Sequence, residues 1–260
     1  MGKVLAITNR KGGTGKTMTS VSLGASLVRQ GKKVLVVDAD SQHSATVSLG
    51  VAEPDKLEVT LATVMQNIIR EQEINPLEGI ISHNEGISFL PSNNGLAGME
   101  IVLAPIIGRE TVLRRYIDKV RSLFDYILLD TAPTLDLLAV NSLAAADSVI
   151  IPVAPKFLDA KGLELLLKSI AQTRQYINPH LEIGGILLTM VDRRANITKE
   201  IIEMIRHAYG ESISIFKEAI PHSVRAVETS ATGKSIFEHD PNGKVAMAYA
   251  SLAREVLASA

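Results

Sequence analysis

A glycine-rich hexapeptide, Gly12-Gly13-Thr14-Gly15-Lys16-Thr17, stands between a short apolar run, Lys3–Thr8, and a helical stretch, Thr17–Gln30, that Gly31 closes. Strand, glycine loop and helix in that order are the context a phosphate-cradling loop requires. Glycines let consecutive backbone N–H groups turn inward around phosphate oxygens. The helix that follows adds its positive N-terminal end. A lysine at the close of such a loop reaches β- and γ-phosphates, and the adjoining hydroxyl ligates Mg²⁺. Those roles fall on Lys16 and Thr17, with Met18 next in the helix.

The loop imposes a fold because it needs a strand behind it, and the rest of the chain supplies a sheet. Apolar runs recur at Val4–Ile7, Val34–Val37, Ile87–Leu90, Tyr126–Leu129, Val149–Val153 and Ile183–Leu188. Near-continuous apolar runs of this length suit strands buried on both faces. Between them, apolar residues are spaced by three and four, as in Leu61, Val64, Met65, Ile68 and again in Leu163, Leu166, Leu167, Ile170. The alternation predicts an α/β fold: a mostly parallel twisted sheet flanked by helices on both faces. No repeat or long linker divides the chain, so residues 1–260 read as one domain. The stretches 41–60 and 75–85 are the least regular and read as loop and surface helix.

Two strand ends carry carboxylates. The second apolar run closes in Asp38-Ala39-Asp40, the fourth in Asp130. Carboxylates at the C-terminal ends of parallel strands border the ligand crevice of such a sheet. Asp38 and Asp40, at i and i+2, point to the same side of an extended chain. Beside a phosphate loop they hold Mg²⁺ directly or through water, or orient attacking water. An apolar strand ending in Asp130 is the Walker B arrangement, with its carboxylate near Mg²⁺.

Composition narrows the field. Lys+Arg 27 against Asp+Glu 28 leaves a net charge of −1, so any nucleic-acid contact must come from a local patch. The chain has no cysteine, which removes disulfides, thiolate zinc sites and iron–sulfur clusters and fits a reducing cytoplasm. The N-terminus lacks a signal-peptide core. No apolar run approaches the roughly 18 residues that span a bilayer.

The loop has Arg10 where the general pattern wants glycine, and a second lysine, Lys11, at its start. On spacing alone Lys11 is equally a solvated loop cation. As a whole, Lys11-Gly12-Gly13-Thr14-Gly15-Lys16-Thr17 resembles the deviant Walker A motif of the ParA/MinD superfamily. The similarity continues in Thr131-Ala132-Pro133-Thr134, Asn141–Asp147, Ile151-Pro152-Val153, Thr189-Met190-Val191-Asp192, Ile220-Pro221, Gly233-Lys234-Ser235 and the closing helix. It covers nearly the whole chain, least over 41–90. The chain is most similar to the short ParA/Soj partitioning ATPases, a P-loop NTPase group.

The resemblance implies an ATPase that uses ATP and Mg²⁺, hydrolyses it slowly and is stimulated by a partner. It implies a nucleotide-sandwich homodimer in which Lys11 reaches the partner's phosphates. Asp40 matches the residue that positions water, and Met190 and Pro221 match positions near the adenine. Arg194 and Arg225 match positions that contact DNA without sequence preference. Arg193 and Arg194 follow a strand end, and His222 replaces a basic residue found in many relatives. A ParB-like activator, plasmid or chromosome partitioning and a nucleoid-associated ATP state complete the expectation. The family's D-x-D-P-Q-x-N pattern lacks its Pro and Asn here, where Ser41 and Ser44 stand. Rival readings are a MinD-like positioning ATPase and a small-molecule kinase or ligase on the same fold. The first wants a basic amphipathic C-terminal helix. The C-terminus, with Arg254 beside Glu255, reads instead as a packing helix without a membrane role. The run Arg109–Arg121 reads as a solvated helix face.

Overall fold

Alternation of side chains along each central strand divides the apolar residues between two cores, one on each face of the sheet. Val4 and Ala6, Leu35 and Val37, Ile127 and Leu129 enter one core. Leu5 and Ile7, Val34 and Val36, Tyr126 and Leu128 enter the other. The computed structural model describes residues 1–259 apart from Leu135 and Arg193, and the backbone alone over 157–161.

Seven strands form one sheet: β1 (Lys3–Ile7), β2 (Val34–Ala39), β3 (Ile81–Ser82), β4 (Ser88–Leu90), β5 (Tyr126–Thr131), β6 (Ser148–Val153) and β7 (Glu182–Leu188). Their order is β3-β4-β2-β5-β1-β6-β7, and every pairing is parallel except the β3–β4 hairpin at one edge. The expected mostly parallel sheet with two helical layers is thus present, and the six expected strands lie within two residues of their predicted ends. The antiparallel β3, two residues long, was not foreseen.

Helices Leu61–Ile69, Val112–Val120 and Leu137–Ala145 pack on the first core. Helices Lys16–Arg29 and Lys244–Ala258 pack on the second. The closing helix buries Val245, Tyr249, Leu252 and Val256 against the sheet, which accounts for its apolar stripe by packing. No helix among the described residues is long and apolar enough to cross a membrane.

One irregular stretch differs from expectation. Within 41–60, helix Ser44–Ser48 buries Ala45 and Thr46 beside the C-terminal end of β2 instead of lying wholly on the surface. In the basic run, the helix Val112–Val120 buries its apolar face and leaves Arg114, Arg115, Asp118 and Lys119 exposed, as a solvated helix face requires, while three arginines of the run also bond to other segments. Arg109 donates to the Ala104 carbonyl at 2.6 Å and Arg115 to the Ile68 carbonyl at 3.2 Å. Arg121 donates to the Gly2 carbonyl at 2.8 Å and to Asp147 at 2.6 Å.

Candidate functional site

The glycine loop leaves the C-terminal end of β1 at the centre of the sheet. Asn9 fixes its start: the side-chain amide donates to the Pro152 carbonyl of β6 at 2.7 Å, and its oxygen accepts the Lys11 N–H at 3.1 Å. Gly15 closes the loop and caps the helix Lys16–Arg29 in the left-handed region, φ +82. An L side chain is strained there, so glycine is required for the turn itself. Thr14 is buried and faces the protein. Lys16 folds back so that its ammonium donates to the Lys11 carbonyl at 3.0 Å. Burial holds its pKa below the ordinary lysine value, opposed by Asp130 and Asp40. Lys11 is half-buried at the opposite end of the loop.

The β2–β5 register sets Asp38 directly beside Asp130. Both are buried, and neither meets a cation within hydrogen-bonding distance in the bonds described. Asp130 accepts the Thr17 hydroxyl and the Ser20 hydroxyl, each at 2.8 Å. Asp38 accepts the Thr46 N–H at 2.8 Å, the Thr46 hydroxyl at 2.7 Å and the Asp40 N–H at 3.2 Å. Burial pushes both pKa values up: Asp38 to about 6, with the Asp40 charge adding to the rise, and Asp130 to about 7, with repulsion from Asp38 adding to it. β2 ends at Ala39, and the chain turns at Asp40, which caps the Gln42 N–H at 2.9 Å. The two carboxylates therefore do not share one side of a strand: Asp38 turns into the protein towards Thr46, whereas Asp40 borders the cavity.

That cavity, about 580 Å³, lies over the loop. Gly12, Gly13, Gly15, Lys16, Thr17, Met18, Asp40 and Met190 line it. Pro133, from the segment after β5, forms another part of the wall. So do Gln42, His43 and Ser44 of the altered D-x-D-P-Q-x-N segment, together with Val47, Ser48 and, from the helix Val224–Thr232, Ser230, the last three of which were not singled out from sequence. Two of its lining residues, His43 and Met190, are non-glycine residues at positive φ, +45 and +53. Backbone strain of this kind gathers at functional sites.

Mg²⁺ is commonly held by one or two protein oxygens together with substrate phosphates. Thr17 and Asp130 fit that donor set. The Thr17 proton goes to Asp130, which leaves the hydroxyl lone pairs for an ion, and the buried Asp38–Asp130 pair is charge that a divalent cation would balance.

The remaining sequence-predicted residues lie apart. Pro221 and Arg194 line a second cavity, about 780 Å³, with His222, Lys244, Met247 and Arg254. Pro221 pairs with Val191 in an isolated bridge, so it neighbours Met190 in the fold but does not line the loop cavity. Arg225 stands on helix Val224–Thr232, about two-thirds exposed, and pairs with Glu228 at 3.5 Å. Arg193 lies outside the described residues.

A sequence-family profile described as an AAA domain matches residues 2–183. The chain is 39% identical to the sporulation initiation inhibitor protein Soj of Bacillus subtilis, over 100% of both chains. It is 37% identical to the chromosome-partitioning ATPase Soj of Thermus thermophilus, over 98% of this chain and 95% of that one. A solved structure described as cobyrinic acid a,c-diamide synthase of Mycobacterium smegmatis, with bound ATP analogue and magnesium, superposes with a TM-score of 0.86. That neighbour is 33% identical over 99% of this chain and 94% of its own. The ATP analogue and magnesium are what that neighbour holds. A parallel sheet with a deviant phosphate loop at its centre, together with end-to-end identity to two Soj proteins, leaves one family: the chain belongs to the ParA/Soj partitioning ATPases.

Proposed function

We propose that the chain works as one ATPase domain, residues 1–260, that dimerises on ATP, binds DNA without sequence preference and partitions a chromosome or plasmid with a ParB-like activator. The observation that carries this reading is the meeting of Lys16, Thr17 and Asp40 around one cavity with Asp130 directly behind Thr17. In it, Gly12, Gly13, Thr14 and Gly15 cradle phosphates by their amides, and Lys16 leaves the Lys11 carbonyl for the nucleotide. Met18 packs beside the nucleotide, while Met190 and Pro221 border the adenine. Mg²⁺, held by Thr17 with Asp130 and steadied by the buried Asp38, screens phosphate charge. Asp40 orients the attacking water, since its carboxylate lies on the cavity wall and carries no cation of its own in the described bonds.

Dimerisation gives Lys11 its role, reaching the phosphates held by a second copy. It also doubles the arginines offered to DNA, and phosphate contacts add in the exponent of affinity. Arg194 and Arg225 make those contacts. The protein is cytoplasmic and follows the nucleoid when it carries ATP, and no membrane step is involved. Light scattering with ATP and with ADP tests the dimer, and Lys11→Ala should stay monomeric with ATP while still binding nucleotide. A Lys11→Ala protein that dimerises normally sinks the cross-dimer role. DNA retention by wild type with ADP as strong as with ATP sinks the nucleotide switch.

The identity of the Mycobacterium smegmatis neighbour favours one second reading, an ATP-dependent ligase acting on a small molecule. The two separate on product: the partitioning reading requires ADP and phosphate from ATP with no small-molecule acceptor present.

A further inference from the structure

Thr189 follows β7 directly, and its N–H donates to the Val153 carbonyl at the end of β6 at 2.9 Å, so its backbone is fixed to the sheet. Its hydroxyl is buried and donates to the Thr14 carbonyl, 175 positions away in the chain, at 2.7 Å. That carbonyl belongs to the peptide unit that also carries the Gly15 N–H. A peptide unit is planar and trans, so its C=O and N–H point in opposite directions. Holding the Thr14 oxygen towards Thr189 turns the Gly15 N–H away from it. Gly15 lies close to the same side chain: a Cβ built on it would stand 3.7 Å from both Cβ and Cγ2 of Thr189. The residue after Thr189 is Met190, at φ +53 and on the wall of the loop cavity.

We infer that Thr189 is a positioning residue for nucleotide binding: its hydroxyl sets the plane of the Thr14–Gly15 peptide and thereby aims the Gly15 N–H at phosphate. The inference rests on the reading of the loop cavity as the ATP site. Thr189 touches no nucleotide in this scheme and acts through the loop. Its effect is therefore on phosphate affinity, felt by ADP and ATP alike.

The test uses the full chain, with Mg²⁺ and ADP as the probe. Thr189→Val removes the hydroxyl and keeps the shape. Thr189→Ser and Thr189→Ala differ from each other by the hydroxyl alone. Calorimetry gives the affinity, and the Gly15 amide in glycine-labelled protein reports the peptide plane, in a spectrum of only 18 glycines. Thr189→Ser should bind within about twofold of wild type. The Val and Ala variants should bind roughly tenfold more weakly, the order expected for one buried hydrogen bond, with a displaced Gly15 amide signal. If Thr189→Val fails to fold, the Ser and Ala pair decides. Equal affinities for Ser and Ala, or an unmoved Gly15 amide in the hydroxyl-free variants, overturn the assignment. A wild-type chain that binds no adenine nucleotide would instead bring down the reading of the cavity, and this inference with it.

Discussion

The loop cavity and the second cavity lie on either side of one strand end, and they are built on opposite plans. Around the loop, the charged groups are buried and held: Asp38 by Thr46, Asp130 by Thr17 and Ser20, Lys16 by the Lys11 carbonyl. On the basic side, Arg194 and Arg225 are exposed, and Arg225 spends charge on Glu228. Buried polar groups act in a low dielectric and cost much if left unpaired, so each position is specified. Exposed charges act through their sum and are screened by salt. In the proposed function, chemistry belongs to single atoms around the loop, and DNA binding to the summed charge of the exposed arginines.

The sharpest way to break this contrast is at the loop. Asp40→Ala should lower ATP hydrolysis by roughly a hundredfold or more, the range for a lost water-orienting group, with ATP affinity largely kept. Lys16→Ala should lose both affinity and turnover. A Asp40→Ala protein with wild-type turnover would show that the cavity does not depend on single groups.

A smaller effect lies in stability. The folded pKa of Asp130 is raised, to about 7, by burial and by Asp38, above the ordinary carboxylate value of the unfolded chain. Between about pH 4 and pH 7 the folded state therefore binds more protons than the unfolded one, and stability falls as pH rises through that window. Asp130→Asn removes this penalty while both hydroxyls keep a partner. Without nucleotide it should melt several degrees higher than wild type at pH 7.5, with the gap closing towards pH 5, while Mg²⁺-dependent ATP binding is weakened. A lower melting temperature at pH 7.5 would mean that the carboxylate is not under strain there.

On the basic side, the loss of both Arg194 and Arg225 to alanine should flatten the log–log salt dependence of DNA binding. The slope is about −0.9 per neutralised phosphate, and two arginines per protomer in a dimer change it by roughly three to four units. Hydrolysis without DNA should be unchanged. Equal slopes for the two proteins would move the DNA surface elsewhere, with Lys244 and Arg254 of the second cavity next to be tested.

The smallest effect tests the exposed pair itself. Glu228→Gln should leave the melting temperature within about 2 °C, because an exposed ion pair contributes little, and it should strengthen DNA binding by freeing Arg225. Weaker binding would count against a DNA role for Arg225.

Sequence made the loop side legible where function repeats a local pattern. Strand, glycine loop and helix are contiguous, and Asp130 ends an apolar run, so each could be placed without knowing its neighbours. What escaped was whatever depends on contacts across the chain. Thr46 and Ser20 look like ordinary helix residues until the sheet brings Asp38 and Asp130 over them. Gln42, His43 and Ser44 read as loop because small polar residues carry no periodicity, yet they form a wall of the cavity. Asp38 and Asp40 were separated by a turn that the extended-chain rule cannot foresee. The bonds of arginines 109, 115 and 121 were not legible because their acceptors are backbone carbonyls, or Asp147, in other segments.

The place of β1 in the sheet has a consequence for how the protein is made. β1 lies between β5 and β6, and Lys3 pairs with Tyr126. The strand that launches the phosphate loop thus leaves the ribosome 123 positions before its first in-sheet partner. At about 5–20 residues per second, that is roughly 6–25 s in which the loop residues exist without a sheet behind them. Asp130 and Pro133 arrive with or just after that partner, and Met190 later still. A nascent chain therefore carries the full glycine motif long before it can capture a nucleotide, and the site is completed only by the second half of translation.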